Sequence, residues 1–262
     1  MIKDIQTELK VFDCITFEEK AHKYHINNIR AAGVSVTGLI GKYKPKFEED
    51  KWARIKAKKL GISVEEMKFI WSEKNLFSTT LGTAFHYLAE CAYTKMPYKF
   101  KGDEIVQSIG EEAYVELRAS IVRLAEQFKA FYRDTESVIT SVRNELIVGD
   151  IHDTRVCGTL DMLVYNKEQK CLEIYDFKTN KNITYSNVFN EYYKPPMQKM
   201  QVCEFNTYCL QLSIYKLIIE KYTNLKIKNL KIVWFNSQNP TYQIITCKDY
   251  STYVSQMLAE VV

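Results

Sequence analysis

No C-x-x-C pair occurs in this sequence, and its seven cysteines, at positions 14, 91, 157, 171, 203, 209 and 247, are odd in number and scattered. A zinc ribbon needs paired thiolates at close spacing and a disulfide framework an even set, so neither is expected. The cysteines read as buried free thiols in a reducing compartment, although four scattered ones could still converge on an iron–sulfur cluster. A long apolar run is also missing. The most apolar stretch, Cys209 to Ile219, is broken by Gln211 and Lys216, which argues against a membrane span. The opening MIKDIQTELK carries Asp4 and Glu8 with no apolar stretch behind them, unlike a secretory signal, so a cytoplasmic location is expected. There is no G-x-x-x-x-G-K-[ST] segment, hence no nucleotide cofactor and no built-in ATP motor is expected. Neither sign of charge dominates: 36 Lys and Arg against 32 Asp and Glu leave +4, which neither demands nor opposes a nucleic-acid partner.

What the chain does have is ordinary globular composition. Over 262 residues, 46% are hydrophobic and 26% charged, which excludes disordered, collagenous and low-complexity classes. That length buries most of the apolar surface without staples, and the whole of 1–262 is read as one domain, with an N-terminal hairpin and helical region over 1–78 and a core over 79–262. Alternation around Ile15, Phe17, Tyr24 and Ile26 predicts a hairpin, and Ser35 or Thr37 opens a short helix. Ser63-Val64-Glu65-Glu66 is a capping-box pattern that starts a helix toward Trp71. A separate helix is expected from Thr79 or Thr80, with Leu81, Ala84, Phe85, Leu88 and Ala92 at helical spacing, and a longer one over 111–133. Val138 to Val148, Val156 to Tyr165 and Leu172 to Phe177 read as three strands. A polar loop over 180–199 follows, then an amphipathic helix from Val202 to Tyr222, strands at 230–235 and 242–247, and a C-terminal helix. The expected class is a mixed α/β fold.

The chemistry concentrates in Gly158-Thr159-Leu160-Asp161 and Asp176-Phe177-Lys178. Alternate strand residues share a face, so Asp176 and Lys178 project together, with Asp161 across a turn on the preceding strand. Two carboxylates and an ammonium at strand ends suit a hard divalent cation and a phosphate. Taken singly, each residue has a plainer reading. Asp176 and Lys178 could be a surface ion pair and Asp161 a turn residue. His86, in Gly82-Thr83-Ala84-Phe85-His86, could be a hydrogen-bonded core histidine. Glu145 could be a solvated strand residue, and Gln211 with Tyr215 the polar edge of a helix.

Taken together and in this order, these residues resemble the PD-(D/E)XK nuclease superfamily. The likeness is greatest to its RecB-like branch (the RecB and AddB nuclease domains, Cas4 and the mitochondrial genome maintenance exonuclease), which shows G-x-x-x-H, a glutamate, G-x-x-D, D/E-x-K and Q-x-x-x-Y. It spans residues 80 to about 220, and Ala21-His22-Lys23-Tyr24 with Ser35-Val36-Thr37 looks like phage-type members. The resemblance implies a restriction-endonuclease-like core, a central mixed sheet flanked by helices. It also implies Mg²⁺ or Mn²⁺ held by His86, Asp161, Asp176 and the Phe177 carbonyl. Lys178 would activate water with Glu145 as a helper, while Gln211, Tyr215 and Thr179 would position the DNA. Members with an iron–sulfur cluster carry a cysteine trio after the Q-x-x-x-Y helix; only Cys247 follows Tyr215 here, so no cluster is expected. The basic run from Lys42 to Lys59, with Lys42 and Lys44 at its head, is a candidate backbone-binding surface or simply a solvated helix face. Tyr185, Tyr192 and Tyr193 are candidates for stacking on unpaired bases.

The expected activity is a metal-dependent DNA exonuclease acting on single-stranded or end-exposed DNA in replication, recombination or repair. Any helicase or recombination protein would be a separate partner, and a phage origin would place the protein in a bacterial host cell. The alternatives are an endonuclease on the same fold and an inactive DNA-binding subunit of a larger complex.

Overall fold

A computed structural model of the chain describes residues 1–19, 21–30 and 34–261. Helix α1 (Ile2–Glu8) runs into a 3₁₀ turn, and strands β1 (Ile15–Glu18), β2 (Lys23–Ile26) and β3 (Ile29–Arg30) form a small antiparallel sheet. Helices α2 (Val36–Lys42), α3 (Glu49–Leu60), α4 (Val64–Thr94), α5 (Gly102–Ile109) and α6 (Glu111–Thr135) follow. The central sheet comprises β4 (Ile139–Gly149), β5 (Cys157–Asn166), β6 (Cys171–Lys178), β7 (Ile227–Trp234) and β8 (Gln243–Thr246), in that order. Only β6 and β7 are parallel, and their crossover is α7 (Glu204–Tyr222), as a parallel connection requires; α8 (Ser251–Ala259) closes the described chain. This is the expected α/β architecture, a mixed sheet with helices on both faces.

The sheet is covered twice, which is why β5 and β6 are buried almost throughout and read as continuous apolar runs. One face packs Leu160 and Ile174 against Leu212, Ile214 and Ile218 of α7 and against Phe12 and Leu39 from the N-terminal region. The other packs Tyr175, Phe177 and Phe235 against Phe85 of α4 and Phe128 and Phe131 of α6. Each such aromatic contributes about 1.5–3 kcal/mol by leaving water, so α4 is pinned to the sheet along the stripe that includes Phe85.

Two expectations need correction. The helix expected to begin at Thr79 or Thr80 does not begin there: α4 runs unbroken from Val64 to Thr94, and the line drawn between residues 78 and 79 falls inside it. Its start is the expected capping box, Ser63 Oγ accepting from the Glu66 amide at 3.0 Å and Glu66 returning the bond at 2.9 Å. Thr79 and Thr80 satisfy their hydroxyls on the Asn75 and Leu76 carbonyls at 2.8–3.0 Å instead of capping anything, and neither Gly nor Pro interrupts the segment from Val64 to Leu81. Helices α1 and α5 were not anticipated, being only 7 and 8 residues long. The hairpin, Ser35 as the cap of α2, and the 180–199 loop are as expected. None of the helices among the described residues is long and apolar enough to cross a membrane.

Candidate active site

The site grows from a fork in the sheet. Strands β5 and β6 pair from Asn166↔Cys171 to Met162↔Tyr175 and no further. One residue beyond the last pair stand Asp161 and Asp176. The Phe177 amide, released from the ladder, donates to Asp161 Oδ2 at 2.5 Å. Strand β5 also changes face here: Leu160 packs in the core beneath α7, whereas Met162, two residues on, packs beneath α4 and α6. Strict alternation would place both on one side, so the irregularity falls on Asp161 itself. Beside it in β4, Glu145 has φ of 45°, a left-handed backbone that a non-glycine residue adopts at a cost of roughly 1–3 kcal/mol. It sits between the paired residues Asn144 and Leu146 and aims its carboxylate toward the fork.

Helix α4 supplies the imidazole. Phe85, fully buried against Phe235 with centroids 4.8 Å apart, fixes the helix so that the next residue, His86, faces the sheet edge. His86 Nδ1 lies 3.1 Å from Asp161 Oδ1 and 4.0 Å from Glu145 Oε1. The three residues offer ligand atoms all within 4.8 Å of one another. Asp176, 2% exposed, forms an ion pair with Lys178 through Oδ2, yet that oxygen has no partner in hydrogen-bond geometry among the described residues. Two carboxylates and an imidazole around one point, beside the buried Asp176 carboxylate, fit a divalent cation. Asp176, expected among the ligands, stands with Lys178 rather than within the trio, and Glu145, expected as a helper, stands within it. Phe177 buries its ring in the aromatic core and gives its amide to Asp161.

The charges are strongly coupled. Burial opposes a charged His86, but Asp161 and Glu145 outweigh it and hold the imidazole up at about 9. Burial, reinforced by Asp161, pushes Glu145 up to about 8. Asp161 stays below the usual carboxylate range despite burial because His86 and Lys178 favour its charge. Burial lifts Asp176 to about 6 against the pull of Lys178. Lys178 is held at about 12, Asp176 and Asp161 overcoming its burial. At neutral pH the cluster therefore favours a protonated imidazole and a protonated Glu145 carboxyl. A metal ion entering it must displace protons from His86 and Glu145.

Behind the fork, Gln211 Nε2 donates to the Tyr215 hydroxyl at 3.1 Å. Tyr215, expected to position DNA, is 2% exposed and packs on Gly158. A Cβ at residue 158 would come within 2.8 Å of Tyr215 Cε1 and 3.0 Å of its hydroxyl, which gives the glycine its physical reason. Thr179 lines a cleft of about 730 Å³ with Leu81, Asn180 and Asn236. Lys42 and Lys44 lie beside the loop that precedes α7: the Lys42 carbonyl accepts from Lys194 Nζ at 3.0 Å, and Lys44 lines a smaller cleft with Tyr208. Sequence reasoning missed Tyr208, whose ring lies 4.8 Å from Lys178 Nζ. Its spacing to Gln211 and Tyr215, three and seven residues, was the available signal. It also missed Tyr24, whose hydroxyl is 3.1 Å from Thr159 Oγ1 and ties the N-terminal sheet to β5.

Residues 64–258, from the first residue of α4 to the last helix, match the family model of the PD-(D/E)XK nuclease superfamily. The chain belongs to the PD-(D/E)XK nuclease superfamily. Comparison with curated proteins finds no match. Membership implies a phosphodiesterase that acts on DNA, and divalent-metal chemistry in keeping with the His86, Glu145 and Asp161 cluster.

Proposed function

We propose that this PD-(D/E)XK nuclease is a metal-dependent exonuclease of the RecB-like branch, cutting single-stranded or end-exposed DNA with Mg²⁺ or Mn²⁺. The observation that carries the reading is the meeting of His86, Glu145 and Asp161 beside the Asp176 and Lys178 pair, with the imidazole contributed by a helix preceding the sheet. The histidine helix and the Gln211 and Tyr215 pair favour the exonuclease branch over endonucleases on the same fold.

In this reading His86, Glu145 and Asp161 hold the cation, with Asp176 completing the set. When bound, such a cation activates water and neutralises charge on the reacting phosphate. Lys178, charged and mostly buried, lies against Asp176 and adds a fixed positive charge where low dielectric magnifies it. The Phe177 amide keeps Asp161 oriented, and Tyr215, through its packing on Gly158, keeps β5 in place.

The test is digestion of end-labelled linear and circular DNA, single- and double-stranded, with Mg²⁺, Mn²⁺ or EDTA. Metal-dependent loss of linear strands alone is expected, and it should vanish in Asp161→Ala and Lys178→Ala while DNA binding persists. Cleaved circles would make the protein an endonuclease, and binding without cleavage in any metal would make it a DNA-binding subunit. Wild-type turnover in either variant would remove those residues from the mechanism.

A further inference from the structure

Deepening the nuclease reading, on which this rests, we propose that the loop between β6 and α7, together with the start of α3, is a stacking surface for the unpaired bases of a single DNA strand whose phosphate lies at Lys178. The loop turns large apolar side chains outward: Tyr185, Val188 and Phe189 are 59%, 85% and 58% exposed. It does so while tightly hydrogen-bonded. Asn187 Nδ2 donates to the Val202 carbonyl at 2.9 Å, the Phe189 amide to Asn187 Oδ1 at 2.7 Å, and the Val202 amide to the Glu191 carbonyl at 2.9 Å. The outward Phe189 is thus held by the fold.

Phe189 pairs with Trp52 in the first turn of α3, ring centroids 4.6 Å apart at 52°, and Lys51 Nζ lies 5.9 Å from the Trp52 ring. Phe189, Lys44 and Tyr208 line one cleft of about 410 Å³. The Tyr208 ring is the one beneath Lys178 Nζ, so the cleft lined by Phe189 reaches a neighbour of the candidate site. Lys44 lines the cleft, Lys51 stands at the Trp52 ring, and Lys42 and Lys194 line a second cleft beside Tyr43. Of the carboxylates nearby, Glu48 pairs with Lys51, Glu191 accepts from Asn187 Nδ2 at 3.3 Å, and Glu204 takes the Thr184 amide and hydroxyl. Aromatic faces interleaved with lysines are what a single strand requires: its phosphates meet the ammonium groups, and any base offers a π-face. Bases in a duplex are already stacked and offer none.

The experiment uses the full chain carrying Asp176→Ala, so that the strand stays intact, and reads anisotropy of a fluorescein-labelled oligothymidylate and of an abasic strand of equal length and charge. Each base stacked should favour the thymidylate by about 5- to 150-fold, the effect of removing one aromatic partner. Phe189→Ala should bring the two affinities toward each other, as should Trp52→Ala. Quenching of tryptophan fluorescence by the thymidylate should shrink in Trp52→Phe. Phe189 is exposed, so its variant carries the test even if Trp52→Ala fails to fold. Equal affinity for both strands, or a preference untouched by Phe189→Ala, overturns the stacking surface. Cleavage of the thymidylate by the chain with Asp176 intact is scored separately: cleavage without base-dependent binding sinks the surface alone, and base-dependent binding without cleavage sinks the nuclease reading.

Discussion

Gly158→Ala offers a sharp test of how the fork is held. The added methyl would sit 2.8 Å from Tyr215 Cε1 and 3.0 Å from Val36 Cγ2, whereas carbon–carbon contact is comfortable from about 3.5 Å. Both neighbours are at most 2% exposed and have nowhere to go. Overpacking of this kind costs roughly 1–3 kcal/mol, which for a chain of this size lowers Tm by about 2–4 °C per kcal/mol. The strain lands three residues before Asp161, so cleavage should fall further than stability explains under conditions where the variant remains folded. Urea unfolding and initial cleavage rates, measured on Gly158→Ala alone and with Tyr215→Leu, close a double-mutant cycle. The penalty for the methyl should shrink by more than half once the ring is gone. A Gly158→Ala protein as stable and active as wild type, or a penalty indifferent to Tyr215→Leu, would refute the packing argument.

Metal affinity should rise with pH, because ligation must displace protons held on His86 at about 9 and Glu145 at about 8; calorimetric titration with Mn²⁺ across pH 6–9 should show proton release, and a flat profile would contradict the assignment. Asp150 is shifted downward instead. Burial opposes its charge, but Lys221, Tyr222 and Thr154 hold the carboxyl down at about 2. Its contribution, about 2 kcal/mol, is present above pH 4 and lost as pH falls toward 2, so Asp150→Asn should flatten that part of the acid-unfolding curve. Glu173, three residues before Asp176 on β6, is fully buried and bonded to Lys231 at 2.9 Å. Glu173→Ala should cost roughly 3–5 kcal/mol in urea unfolding by stranding the lysine; a loss below 1 kcal/mol would show that water or a neighbour replaces it.

Strands β4 to β6 and helices α6 and α7 were legible in the chain because their signals are local. Period-two and period-3.6 patterns are properties of a dozen adjacent residues, and the cap at Ser63 is a property of four. The candidate site residues were legible one by one for the same reason, as residue types at fixed short spacings. Their meeting was not. Whether His86 faces Asp161 depends on Phe85 finding Phe235 across the sheet, a contact between residues 150 positions apart. The change of face at Asp161 and the left-handed Glu145 run against local preference and persist only because packing on both sides of the sheet over-determines them. The burial of Tyr215 on Gly158 was likewise decided by partners distant in sequence. Sequence by itself determined most of the elements and which chemical groups they carry. Only the tertiary structure decided which of those groups share a point in space, since register and packing are sums over contacts that no short window contains.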